Sequence, residues 1–446
     1  MFSKVLIANR GEIAVRIIHA CRELGIETVA VYSLADKESI HAQIADEAVC
    51  IGPALARDSY LKMESIFAAC ERTGAQAIHP GFGFLSESSQ FAKMCEAFGL
   101  KFIGPSYKAI AMLGDKAYAK KVVARAGVPV IAGSLGVVQN FTDALKISDE
   151  LGYPVIVKAT AGGGGKGIRI VRTREDLQSA MEMASLEAKS NFGNGGLYIE
   201  KFIENPRHVE IQILADEFGN VVHLGERDCS VQRRNQKLIE ESPSPVVDEA
   251  LRTKLGCAAV SAAKACGYSN AGTVEFLLDK NGKFYFMEMN TRIQVEHGIT
   301  ELETGIDLVK SQIKIAHGQK LDFTQSDVKL RGHSIECRIN AEVPEKNFMP
   351  APGKIKDLYI PCGNGVRVDN AIYSGYTVLP YYDSMLAKVM VHDRTREEAI
   401  AKMIVALAEF IVSGIETNID FQLSILRNKQ FQKGDVDINF LQRLGY

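Results

Sequence analysis

The alternation of strand-like and helix-like periods over the first hundred residues restricts the fold more than any other feature of the chain. Lys4–Ala8 (KVLIA) reads as a short buried strand, and NRGE turns the chain. Ala14, Ile17, Ile18 and Cys21 then recur at i, i+3, i+4 and i+7, one face of a helix that Gly25 ends. TVAVYS (Thr28–Ser33) is the next strand, followed by helix SYLKMESIFAACERTG, strand QAIHP, helix QFAKMCEAFG and strand KFIGP. A βαβα rhythm of this kind closes as a parallel, doubly wound sheet.

A helical connector follows over 115–130, with Gly127 and Pro129 as breakers. Residues 131–203 form a second unit, ordered helix, strand (YPVIVKA), glycine loop, strand (IRIVR), helix, strand (LYIEKFI). The remainder, 204–446, reads as a larger α+β part with hairpins and two clear helices, Asp248–Cys266 and Thr395–Ile411, the latter opening at capping-box spacing, Thr395 to Glu398. The expected division is therefore 1–114, 115–130, 131–203 and 204–446.

Composition excludes several classes. A net charge of −2 over 446 residues supplies no large basic surface, so nucleic acid is not the expected partner. No apolar run reaches the ~18 residues of a membrane span, and the first residues lack the apolar core of a secretory signal. The nine cysteines are scattered and never form C-x-x-C, which argues against a disulfide framework or zinc site and for a reducing cytoplasm or organelle matrix, of which the cytoplasm is the expected setting.

KATAGGGGKG (158–167) places four glycines between two lysines. Gly162, Gly164 and Gly167 satisfy G-x-G-x-x-G, but the strand-like IRIVR follows where a dinucleotide fold needs a helix. A Walker loop needs Ser or Thr after the lysine, and Gly167 stands there. A glycine-rich hairpin remains, able to bring backbone N–H groups close to phosphate oxygens.

GTVEFLLDKNGKFYFMEMNTRIQVEH (272–297) carries more chemistry. Asn281-Gly282 is a strong hairpin signal. A two-residue turn pairs Lys280 with Lys283, and hence Glu275 with Glu288. Opposed Cβ atoms lie ~5 Å apart, and two carboxylates there repel by roughly 3 kcal/mol at an effective dielectric of about 20. A divalent cation such as Mg²⁺, bridging to phosphates, offsets that repulsion; a shared proton or an exposed edge pair is the plainer alternative. Asn290, Arg292, Gln294 and Glu296 continue at alternate positions, which a straight strand from 288 would spread over ~26 Å. The chain is therefore expected to bend after Asn290 and gather Arg292, Gln294 and Glu296 around a small anion.

With these pieces in place, the chain resembles biotin carboxylases, members of the ATP-grasp class. The shared segments are IANRGEIAVRI, AIHPGFGFLSE, FIGPS, GDK, YPVIVKATAGGGGKG, ENPRHVEIQ, ERDCSVQRRNQK, FMEMNTRIQVEH, ECRINAE and PYYDSM, in order along nearly the whole chain. The resemblance implies an ATP-grasp fold with a doubly wound N-terminal domain and a glycine-rich mobile lid. It implies that Lys116, Lys158, Gly164 and Gly165 contact nucleotide phosphates. It places Glu200, Lys201, Phe202 and Ile203 at the adenine, and His208, Gln232 and Asn235 near the ribose and phosphates. Glu275, Glu288 and Asn290 match the Mg²⁺ (or Mn²⁺) positions, Glu275 also serving ATP. Lys237, Arg292, Gln294 and the backbone of Val295 match the bicarbonate site, Glu296 the base, and Arg338 the residue stabilising the biotin enolate. Arg338 could also pair with Glu336 or Glu342, which share its strand face.

Three positions depart from the family pattern. Phe82 stands for a tyrosine near the biotin pocket, Asn235 for a histidine, and Gly298 for a proline, which makes that loop less rigid. The implied reaction uses ATP and bicarbonate to carboxylate biotin. The chain lacks an A-M-K-M attachment segment, Ala401-Lys402-Met403 being a poor match inside a helix, so biotin is expected on a separate carrier protein. The other expected partners are a second copy of the chain, in a homodimer, and a carboxyltransferase subunit. The competing readings are a different ATP-grasp carboxylate–amine ligase and a non-catalytic nucleotide-binding subunit. Arg292, Gln294, Glu296 and Arg338 argue against the first, and the presence of Glu288, Arg292 and Arg338 against the second.

Overall fold

The computed structural model describes residues 1–134, 136–138, 140–159, 168–192 and 195–446. Its N-terminal sheet has five parallel strands: Lys4–Ile7, Glu27–Ser33, Glu47–Gly52, Ala77–His79 and Lys101–Phe102. Their spatial order is third, second, first, fourth, fifth, so the winding reverses between the first and fourth strands. Alternate residues of the first strand feed two cores. Val5 and Ile7 pack with Ile13, Ile17 and Ile18 of the helix Gly11–Glu23. Leu6 and Ala8 pack on the other face with Ile66, Phe67 and Phe91. Helices on both faces of a parallel sheet are what the rhythm of apolar runs predicts. The strand Glu47–Gly52 is an addition to that reading.

At the switch point, where ligands of open α/β sheets bind, the Asn9 amide donates to the carbonyls of Pro80 and Phe82, each at 2.7 Å. The connector is two helices, Tyr107–Gly114 and Lys116–Arg125. Asp115 parts them, and its carboxylate caps the second by accepting from the amides of Ala117 and Tyr118. Lys116 thereby opens a helix.

The chain divides into two compact units. The larger comprises 1–128, 207–276 and 288–446, and the smaller 129–206 with 277–287. The smaller unit has a three-stranded antiparallel sheet, Ile168–Val171, Val155–Ala159 and Leu197–Lys201 in spatial order, with the helices Phe141–Leu151 and Leu177–Phe192. Val155, Val157, Val171 and Ile199 meet Ala180, Ala184 and Ala188 in its core.

An eight-stranded sheet carries most of the polar chemistry. Its spatial order is Phe284–Asn290, Asn270–Leu278, Arg207–Ala215, Val221–Arg233, Gln236–Ser242, His333–Asn340, Met385–Asp393 and Val366–Asn370. The helices expected near 248 and 395 span Glu249–Ala265 and Arg396–Glu409. Thr395 caps the second by accepting from the Glu398 amide, while the Glu398 carboxylate pairs with Arg394 rather than completing the box. No helix among the described residues is long and apolar enough to cross a membrane.

Candidate active site

The larger unit gathers Glu275 and Glu296 around Lys237. The Lys237 ammonium lies 2.6 Å from Glu210, 2.7 Å from Glu296 and 3.1 Å from Glu275. Burial works against each of these charges; the opposite charges prevail at Lys237, Glu296 and Glu275, whereas burial prevails at Glu210, whose carboxyl is raised. Lys237 is raised well above the ordinary lysine range. The Glu296 carboxyl is held well below its ordinary value by Lys237, Arg338 and Arg227. Glu275 is likewise depressed by Lys237 and His208. Burial pulls the His208 ring downward and Glu275 more than reverses it, so His208 is raised. His208 Nε2 stands 3.1 Å from Glu275.

The strand ends at Asn290 and the chain turns into the helix His297–Thr304, so the expected bend is present. The bend folds the polar residues together. Asn290 Nδ2 donates to Glu275 at 2.9 Å and Gln294 Nε2 to the same oxygen at 3.2 Å. Arg292 donates to Gln294 Oε1 at 2.6 Å and to Asn290 Oδ1 at 3.2 Å. Lys388, fully buried, donates to the Val295 carbonyl at 2.7 Å and fixes that backbone.

The hairpin register differs from the sequence expectation. The Asp279 amide donates to the Lys283 carbonyl and Gly282 to the Asp279 carbonyl, around a three-residue loop with Gly282 at φ 78°. The Asp279 carboxylate drives this by accepting from the amides of Asn281 and Lys283. At the turn Lys283 therefore pairs with Asp279 and not with Lys280. Glu288 meets Lys116 at 2.5 Å. The tight groups of donor atoms among the described residues, His208/Glu210/Glu275 and Glu210/Cys229/Glu296, do not include Glu288. Neither group is a convincing metal cage, because the Lys237 ammonium already stands within both. Burial also pushes the Cys229 thiol far from thiolate formation. Glu275, Glu288 and Asn290 offer two carboxylates and an amide carbonyl, hard oxygens whose chemistry fits Mg²⁺ or Mn²⁺.

Arg338 corrects a second expectation. Its guanidinium donates to Glu240 at 2.6 Å and to Glu296 at 3.0 Å. Glu342 instead accepts from Ser384 and Asn340. Neither Glu342 nor Glu336 is the ion-pair partner of Arg338.

Gln232 and Lys237 are cross-strand partners. Arg234 and Asn235 turn between the strands at φ 48° and 66°, left-handed backbone that asparagine adopts readily. Phe82 packs against the N-terminal core. Gly298 lies in the first turn of a helix rather than in a loop; a Cβ there would stand 2.2 Å from Met390 Sδ.

In the smaller unit, Lys158 pairs with Glu200 at 2.7 Å. The Lys201 ammonium donates to the carbonyls of Gly152 and Tyr153, and the Phe202 amide to Pro154. Ile203 ends this segment half-buried. Gly164 and Gly165 lie outside the described residues.

Sequence reasoning missed three buried or bridging partners. Glu210 binds Arg227 at 2.6 Å as well as Lys237, and Arg227 also reaches Gln212, Thr273 and Thr300. Glu87 accepts from Arg292 at 3.0 Å. The available signal was a charge inside an apolar strand run, Glu210 in VEIQIL.

The fold and this charge ring define an ATP-grasp enzyme. Residues 115–324 match the carbamoyl-phosphate synthase L chain ATP binding domain, residues 1–110 the biotin carboxylase N-terminal domain and residues 336–443 the biotin carboxylase C-terminal domain. The chain is 58% identical to Biotin carboxylase 1 of Bacillus subtilis over 99% of its own length and 98% of the relative's. It is 53% identical to a pyruvate carboxylase subunit of Methanothermobacter thermautotrophicus, over 99% and 90%. Among solved structures, a biotin carboxylase–β,γ-ATP complex from Campylobacter jejuni superposes with TM-score 0.94 at 51% identity, covering 99% of both chains. The biotin carboxylase domain dimer of Hydrogenobacter thermophilus 2-oxoglutarate carboxylase, in complex with MgADP, ADP and bicarbonate, gives TM-score 0.92 at 50% identity, covering 100% and 98%. The chain belongs to the biotin carboxylase family and is an ATP-dependent carboxylase ligase.

Proposed function

We propose that the chain catalyses the first half-reaction of a biotin-dependent carboxylase, with the residues above in these roles. Bicarbonate, held by Lys237, Arg292, Gln294 and the Val295 backbone, attacks the γ-phosphate of ATP and releases ADP. Glu296 takes the bicarbonate proton. The resulting carboxyphosphate supplies CO₂ to a ureido nitrogen of biotin, and Arg338 stabilises the enolate. The observation that carries this reading is the Glu296 carboxylate held between the Lys237 ammonium and the Arg338 guanidinium. It sets an ionised acceptor beside two cations able to stabilise anionic intermediates.

In the larger unit, Lys116, His208, Gln232 and Asn235 face the nucleotide. In the smaller unit, Lys158 and Glu200–Ile203 offer phosphate and adenine contacts. Glu275, Glu288 and Asn290 would hold Mg²⁺, which when bound neutralises charge developing on the transferred phosphoryl group. Biotin arrives on a carrier protein, and a carboxyltransferase subunit passes the carboxyl group on, in the cytoplasm. The first reading of the whole complex is an acyl-CoA carboxylase such as acetyl-CoA carboxylase. The similarity to a pyruvate carboxylase subunit supports pyruvate or another 2-oxoacid as the second reading.

ATP hydrolysis measured with Mg²⁺, with and without bicarbonate and free biotin, tests the reaction. Turnover should require bicarbonate and rise with biotin. Stimulation by a carboxylate–amine pair but not by bicarbonate would overturn it.

A further inference from the structure

A buried charge network continues behind Arg338, away from the residues assigned to substrates. The strands Gln236–Ser242 and His333–Asn340 run antiparallel and set Glu240 directly opposite Glu336. Opposed side chains have Cβ atoms about 5 Å apart, and both residues are fully buried. Glu240 Oε1 accepts from Arg338. Its other oxygen and both oxygens of Glu336 are buried without a hydrogen-bond partner.

The groups facing Glu336 explain why two ionised carboxylates do not fit here. Arg338 shares its strand, and its donors go to Glu240 and Glu296. Lys388, from the strand Met385–Asp393, turns its ammonium to the Val295 carbonyl at 2.7 Å and to Glu12 at 3.3 Å. The helix His297–Thr304 brings His297, held neutral by burial, and two more acids. Of these, Glu301 is taken by Arg16 and Arg367, and Glu303 accepts from Ser242. The neighbouring Glu241 is engaged by His333 and Arg396. Lys388 and Arg338 lower the cost of charging Glu336 only in part, because both are engaged elsewhere and burial outweighs them, and a buried carboxylate without a partner costs several kcal/mol.

We propose that Glu336 and Glu240 share one proton across the sheet. Glu336 donates an O–H to the free oxygen of Glu240. Glu240 remains an anion whose other oxygen aims the Arg338 guanidinium. Glu336 is thus a positioning residue for the biotin step, acting through Glu240 and Arg338. Burial raises both carboxyls, Glu240 to about 7 and Glu336 well above the ordinary range, as a retained proton requires. At alkaline pH the pair loses that proton, and a second negative charge forms beneath Arg338.

The role assigned to Glu336 rests on the proposed biotin chemistry of Arg338, so the test includes a readout independent of turnover. In infrared difference spectra across a pH titration, the full chain should show at neutral pH, beside the C=O stretches of the other buried carboxyls raised by burial, Glu12 and Glu303, a protonated-carboxyl band of the Glu336–Glu240 pair. That band should vanish at alkaline pH and be absent from Glu336→Gln. The glutamine amide supplies the N–H in the proton's place, so biotin carboxylation should fall at alkaline pH in the parent and lose that fall in this variant. Glu336→Ala, lacking any donor, should raise KM for biotin about tenfold and leave KM for ATP in place. A parent spectrum without the band, or a glutamine variant that keeps it, overturns the shared proton even if every activity prediction holds. An unaltered alkaline fall in Glu336→Gln overturns the positioning role. If the alanine variant fails to fold, the spectra and pH profile of the glutamine variant decide both points.

Discussion

Arg338 Nη2 stands 3.0 Å from Glu296 Oε2, so the cation assigned to biotin and the base assigned to bicarbonate are in direct contact. The contact couples the two half-steps electrostatically. It lowers the affinity of Glu296 for a proton while Arg338 is near, and releases Arg338 as Glu296 is neutralised.

Arg338→Ala should therefore slow biotin carboxylation by about a hundredfold. Biotin-independent ATP cleavage should fall much less, since Lys237 still contacts Glu296 at 2.7 Å. Parallel assays of carboxybiotin and ADP on one preparation distinguish the two. Equal loss of both would remove Arg338 from the biotin step.

Glu288 is partly exposed and pairs with the exposed Lys116, so its charge contributes little to stability. Glu288→Gln should raise the half-saturating Mg²⁺ concentration for ATP cleavage about tenfold while leaving the melting temperature close to that of the parent. A Mg²⁺ titration unmoved by the substitution would take Glu288 out of the metal site.

The N-terminal sheet was readable because its central strands are buried on both faces and appear as apolar runs bounded by turns. The edge strand Glu47–Gly52 was not, since its apolar run Ala48–Ile51 is short and most of its side chains are exposed or half-exposed. Arg292, Gln294, Glu296 and Arg338 stood out as charged or polar residues in shared motifs. The partners packed around them did not: Glu87, Glu210 and Arg227 come from distant segments, and pairing of that kind leaves no periodic trace. The hairpin register failed for a local reason. Asn-Gly favours a two-residue turn, and the Asp279 side chain captures two amides and opens a longer one.

Acid should destabilise the N-terminal core through Asp36. This fully buried carboxylate accepts from Arg10 at 2.6 and 2.7 Å, from Tyr60 at 2.6 Å and from Ser39 at 2.9 Å. Burial opposes its charge, yet Arg10 and Tyr60 hold it below the ordinary aspartate value. A depressed folded value adds stability that is fully present above the unfolded value of about 4. That stability is lost as pH falls through the folded value. Asp36→Asn leaves Arg10 buried without its anion and should cost about 3 kcal/mol at neutral pH. Its stability should also decline less on acidification than the parent's. Denaturant unfolding at neutral and acid pH measures both, and parallel acid profiles would contradict the assignment.

Gly298 and Met390 should behave as one packing unit. The glycine lies in the first turn of the helix that follows Glu296, and Met390 is fully buried on the strand beneath it. A methyl group at 298 would come within 2.2 Å of the Met390 sulfur, so the thioether occupies the space a side chain there would need. Gly298→Ala should cost about 1–3 kcal/mol through overpacking, despite the general preference of helices for alanine over glycine. Shortening the neighbour relieves the collision, so Met390→Val should cost less in the Gly298→Ala background than in the parent. A double-mutant cycle of unfolding free energies measures that coupling. The strain falls two residues from Glu296, so the single variant should also weaken bicarbonate binding, and the double variant should restore it in part. Additive stabilities, with KM for bicarbonate equal in all four proteins, would show that the fit between the two residues is not what seats the start of this helix.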